Sequence, residues 1–102
     1  MAKNREVLIV PPADWGDVDV DAIVDELCEA GIKATIDSGE GDPQVPHGGY
    51  VMLVVSPQVV TPWSIWRRIK VIAVVARKAD AHFIMAAPTA VVNCIKRELG
   101  CR

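Results

Sequence analysis

The way apolar runs and helical stripes alternate along these 102 residues predicts a single α/β domain, residues 1–102, built on a small parallel sheet with helices on both faces. Two observations carry that expectation. Glu6–Val10, Tyr50–Val55 and Ala81–Ala87 are short, continuous apolar runs, the pattern of strands covered on both sides as in a parallel sheet. Helical spacing fills three of the stretches that follow strands. The composition agrees: 51% hydrophobic and 24% charged residues suit one core and lie far from the polar composition of a disordered chain.

The elements follow in order. The first run is β-branched and is stopped by Pro11-Pro12. Val20, Ile23, Val24 and Leu27 then fall on one stripe, predicting a helix over about Val18–Ala30. Asp17, Asp19 and Asp21 place negative charge at the positive end of its dipole, and Gly31 follows as a left-handed cap. Ile32–Asp37 alternates apolar and polar, as a half-covered edge strand does. Residues 38–49 hold four Gly and two Pro, which predicts a long, mobile loop. Tyr50–Val55 is closed by Ser56-Pro57. Thr61-Pro62 reads as an N-cap followed by proline at the first helical position, opening a helix that runs to about Ala79. After the strand Ala81–Ala87, Pro88-Thr89 opens a third helix, in which Val91, Val92, Ile95 and Leu99 keep helical spacing up to Gly100.

The order β-α-β-loop-β-α-β-α has two physical solutions. Right-handed crossovers give a three-layer, flavodoxin-like parallel sheet with strand order 2-1-3-4. The alternative is a ferredoxin-like α+β sheet with the second and third strands antiparallel. The continuous apolar character of three strands favours the first.

Charge is distributed unevenly. Residues 1–50 hold three bases against eleven acids, a balance of −8, and residues 51–102 hold eight bases against two acids, a balance of +6. The total of −2 and a pI near 5.6 argue against a dedicated nucleic-acid binder. Cys28, Cys94 and Cys101 have no metal-ligand spacing, and Cys28 and Cys94 read as inert thiols within apolar helices. Met1–Arg5 lacks the apolar stretch of a signal peptide, so the expected location is cytoplasmic. The longest apolar run of helix two, Val71–Ala76, is far short of the roughly 20 residues that cross a bilayer, and no membrane span is expected.

Ligands of open parallel sheets bind at the carboxyl ends of the strands, where this chain places Asp14 with Trp15, Asp37 with Ser38, Ser56 and Thr89. Asp14 and Asp37 are hard oxygen ligands of the kind magnesium takes, yet neither a lysine nor a third carboxylate accompanies them. Their default is therefore a solvated loop carboxylate. His47, between Pro46 and Gly48, reads as a solvated loop residue. No nucleophile, base and orienting group can be assembled, so the expectation is a protein without catalytic, cofactor-binding or metal-binding residues.

Helix two is different. Ile65, Ile69, Ile72 and Ala76 cluster on the side that must pack on the sheet. The opposite side carries Trp63, Arg67, Lys70, Val74 and Arg77, flanked by Val71 and Lys78. Trp and Arg are the residues most enriched at binding hot spots. Coverage by helix three is the bland alternative. The outer face of helix one, with Asp21, Asp25 and Glu29, carries the opposite charge. These two faces predict a protein-interaction module that meets another copy of itself or an acidic protein partner; the alternatives are a small-ligand or nucleotide-binding domain using the strand carboxyl ends and a ferredoxin-like regulatory module working as a dimer.

The stretch Val54-Val-Ser-Pro-Gln-Val-Val-Thr-Pro-Trp-Ser64, together with Asp14-Trp15, Ala30-Gly31-Ile32 and the strand ending in Asp37, resembles Toll/interleukin-receptor-like domains over residues 6 to about 75. The resemblance implies a flavodoxin-like fold and an adaptor role in signalling. Two departures accompany it: loop 38–49 is too short for that family's second helix, and Ser64 stands where Cys is usual. Enzymatic members carry a glutamate four residues after the tryptophan, and here that position is Arg67. The resemblance therefore implies an adaptor that does not cleave nicotinamide dinucleotides.

Overall fold

The structure, a computed structural model, describes residues 5–57 and 59–100. Its elements are β1 (Glu6–Val10), α1 (Val20–Glu29), β2 (Lys33–Ile36), β3 (Tyr50–Val54), α2 (Trp63–Lys78), β4 (His82–Ala86) and α3 (Val91–Glu98). The strands form one sheet in the order β2-β1-β3-β4, and all three pairings are parallel. β1 lies between β2 and β3, so those two strands do not pair and the ferredoxin-like alternative is excluded. The all-parallel α/β sheet is the flavodoxin-like arrangement.

Local chemistry sets the helix ends. The Asp19 side chain accepts from the backbone N–H groups of Asp21 and Ala22, so α1 begins two residues later than its first acids suggest. Gly31, at φ +80°, turns the chain out of α1 in the left-handed region. At α2 the N-cap is Pro62 itself, not Thr61, and among the described residues no side chain caps the helix. Pro88–Ala90 forms a tight 3-10 turn, so α3 opens at Val91 and not at Pro88-Thr89.

Alternation along the strands divides the core in two. Val7, Ile9, Tyr50, Met52 and Val54 pack with Ile23 and Leu27 of α1 and Val91, Cys94 and Ile95 of α3. Leu8, Val10 and Val51 point the other way, onto Ile72 and Ala76 of α2. One face is thus roofed by two helices and the other by one.

That imbalance corrects the reading of the fourth strand. Its continuous apolar run suggests coverage on both faces, but β4 is the sheet edge and Phe83 and Met85 are exposed, 42% and 62% respectively. They lie on the α2 face, beside Val51 and Leu53 in register, where no second helix follows. Ile84 and Ala86, on the other face, pack against the α1 and α3 core.

Loop 38–49 replaces a crossover helix between β2 and β3. It is irregular, yet Pro43 and Val45 are buried in it, and the Gly48 N–H donates to the Ala79 carbonyl at 2.8 Å. Gly49 is required by close approach: a Cβ there would fall 2.8 Å from the Glu6 carbonyl oxygen and 2.6 Å from Pro46 Cγ.

Candidate functional site

α2 contains no acidic residue in its 16 positions, so the charge it carries is basic throughout. Taking Ile72 as the centre of the packed face, Ile65, Ile69 and Ala76 lie within about 60° of it, at 100° per residue. The opposite side holds Trp63, Arg67, Lys70, Val74 and Arg77, all exposed, with Val71 on its flank. Trp63 is 65% exposed and Val74 59%. α3 packs on the other face of the sheet, against α1 and β4, and does not cover this side. The structure therefore brings the predicted helix-two residues together on one open surface. Arg77 and Lys78 also sit at the negative end of the helix dipole, which favours their charge.

Asp21, Asp25 and Glu29 are exposed along the outer side of α1. Glu26, on the flank toward α3, forms an ion pair with Lys96 at 3.1 Å. α1 and α2 lie on opposite faces of the sheet, so the acidic and basic surfaces look away from each other. One molecule cannot close them on itself.

The strand-end residues are not gathered into one site. The Asp14 carboxylate accepts from the Gly16 N–H at 2.8 Å in a local turn. Trp15 packs against the α1 and α3 core, and Ser56 is half-buried. Asp37 is different: it is the one buried polar or charged residue among those described, 7% exposed. Both its oxygens accept from Arg68, Nε to Oδ2 and Nη2 to Oδ1, each at 2.8 Å. Arg68 also donates to the Gly41 and Glu40 carbonyls at 2.7 and 3.2 Å. These bonds to Asp37 hold the Arg68 guanidinium more firmly charged than a free arginine, with partial burial working the other way. A carboxylate already satisfied by a planar two-point partner is not disposed to bind a metal ion. The pair borders a hollow of about 200 Å³ lined also by Ser38, Gly39 and Ser64. Among the described residues, no group of three His, Cys, Asp or Glu converges as a metal site requires.

Sequence reasoning missed Arg68, and a signal was there. It lies four residues before Ile72, near the packed side of an amphipathic helix, where a cation needs a counter-charge. It also missed Trp66, which is 49% exposed and turned toward β4. Cys28, read as an inert thiol within an apolar helix, is exposed, because its position falls off the Ile23 and Leu27 stripe; Cys94 is buried. Cys101 lies outside the described residues. His47 is exposed. No helix of the described residues is long and apolar enough to cross a membrane. No protein-family model matches the chain, and no curated protein or solved structure matches it.

Proposed function

We propose that the protein is a non-enzymatic interaction module that binds an acidic protein surface through the outer side of α2. The observation that supports this most is the company of Trp63, Val71 and Val74: three large apolar side chains held in water among Arg67, Lys70 and Arg77. A helix face that only met solvent would gain nothing from an exposed Trp, whereas Trp and Arg at the centre of a contact carry most of its energy. Complementary charge speeds and orients the encounter, and the aromatic anchor slows release. The basic Arg67, at the position of the catalytic carboxylate in enzymatic Toll/interleukin-receptor-like domains, suits an adaptor of that kind in signalling.

The acidic face of α1 makes another copy a suitable partner. Because the two faces lie on opposite sides of the sheet, such a contact is head-to-tail and repeats into an open row. Exposed charges are screened over about 8 Å at 0.15 M salt and about 3 Å at 1 M, so assembly must weaken with salt. Sedimentation at low salt should show species larger than a dimer that shrink at 1 M salt and are lost in Arg67→Glu, Lys70→Glu or Trp63→Ala. Absence of any species beyond a dimer at low salt and high concentration would remove the homotypic form of the proposal.

A further inference from the structure

We infer that β4 is a second, separate interaction surface, through which two copies of this chain pair edge to edge, antiparallel, about a two-fold axis passing beside Ile84. The argument begins with the backbone. The His82 N–H donates inward to the Gly49 carbonyl, and the Ala86 carbonyl accepts inward from Val55. In a parallel strand inward and outward residues alternate, so the N–H and C=O groups of Phe83 and Met85 point out of the sheet. Of these, the Met85 carbonyl receives, among the described residues, only a long contact from the Cys94 thiol, 3.8 Å.

An exposed edge is normally blunted by charge, proline, a bulge or shortness. β2, at the far edge, has four residues and carries exposed Lys33. β4 has five, His-Phe-Ile-Met-Ala, with no proline and no Asp, Glu, Lys or Arg. Its open edge coincides with an open face. Phe83 and Met85 project on the α2 side, and Met85, Leu53, Ile69 and Trp66 border an apolar notch of about 40 Å³.

The strand is complementary to itself. With the axis beside Ile84, Phe83 stands opposite Met85 of the second copy, and each such pair exchanges both backbone hydrogen bonds. Phe and Met then meet across the ladder on the α2 side, and Ile84 meets Ile84 of the second copy on the other. The layers permit it. α3 contacts both β3 and β4, so at a strand spacing of about 4.8 Å the two α3 helices come about 10 Å apart, the distance of packed helices. α2 sits over β1 and β3, which keeps the two α2 axes about 19 Å apart, well beyond the screening length of about 8 Å that governs their basic side chains. A second copy therefore brings apolar strand to apolar strand while the basic surfaces of the two α2 helices stay apart.

The edge dimer differs from the head-to-tail contact in every readout. At 1 M salt, where the charge contact is suppressed, sedimentation equilibrium of the full chain should give a dimer. Met85→Lys should convert it to a monomer with its far-ultraviolet spectrum retained, while Lys70→Glu and Trp63→Ala leave the dimer intact. Met85→Pro deletes an outward N–H that no bond inside the sheet uses, and should do the same. If either variant fails to fold, amide exchange of the wild-type chain decides: the Phe83 and Met85 amides should gain at least tenfold protection between dilute and concentrated samples, with the His82 amide changing far less. A monomeric wild-type chain at 1 M salt and millimolar concentration, a dimer that survives Met85→Lys, or Phe83 and Met85 amides that ignore concentration would each overturn the inference, leaving the α2 proposal standing on its own test.

Discussion

The two faces of the sheet are built to different standards. On one, α1 and α3 together roof β1, β3 and much of β4, and Leu27, Val91 and Ile95 are fully buried. On the other, α2 alone packs over the middle of the sheet, loop 38–49 supplies Val45, and β4 is left bare at Phe83 and Met85. The first face is where stability resides; the second divides its helix between packing and display. Residues of similar chemistry should therefore differ sharply in what they contribute, according to the face that holds them.

The largest contrast comes from truncating the roofed face. Leu27→Ala removes a side chain with no exposure from between α1 and the sheet, and should cost about 2–5 kcal/mol in denaturant unfolding. Arg68→Ala tests the clamp on the thinner face. It strands the Asp37 carboxylate without its partner, and should cost about 3 kcal/mol while opening amide exchange through Gly39–Asp42. Arg68→Lys should recover only part of this, because an ammonium cannot make the two-point contact. Gly49→Ala forces a methyl against the Glu6 carbonyl and Pro46, an overpacking cost of about 1–3 kcal/mol measured as a lowered unfolding midpoint. The smallest effect belongs to the bare strand: Met85→Ala should change monomer stability by no more than about 0.5 kcal/mol in the same assay, since most of that side chain is already in water. A cost above 2 kcal/mol at Met85 would show that the thinner face is a core after all.

Much of this was readable from the residues, for reasons that differ by element. β1 and β3 are central strands covered on both sides, so an unbroken apolar run identified them. α1 was legible because a single stripe, Ile23 to Leu27, and an N-terminal Asp agree on where a helix should lie. β4 misled because an apolar run reports what a strand could bury, not whether another element arrives to bury it. The α2 surface followed from spacing alone, since a side about 180° from Ile72 on an amphipathic helix must face outward. The Asp37–Arg68 pair was not legible: it joins residues far apart in the chain through a loop whose path no local pattern dictates. What could be read was that Arg68 lies too near the packed side to remain without a counter-charge.

The parallel pairing has a consequence in time. No strand of this sheet pairs with a neighbour across a hairpin: β1 meets β2 in register Glu6 to Lys33, and β3 in register Val7 to Tyr50. During synthesis at about 5–20 residues per second, β1 therefore leaves the ribosome several seconds before β3 exists to receive it. Until then an almost wholly apolar segment has only α1 and the short β2 for shelter. The strand that ends deepest in the fold is the one that waits longest for its place, and a holding chaperone acting on this chain should find its best target in residues 6–10.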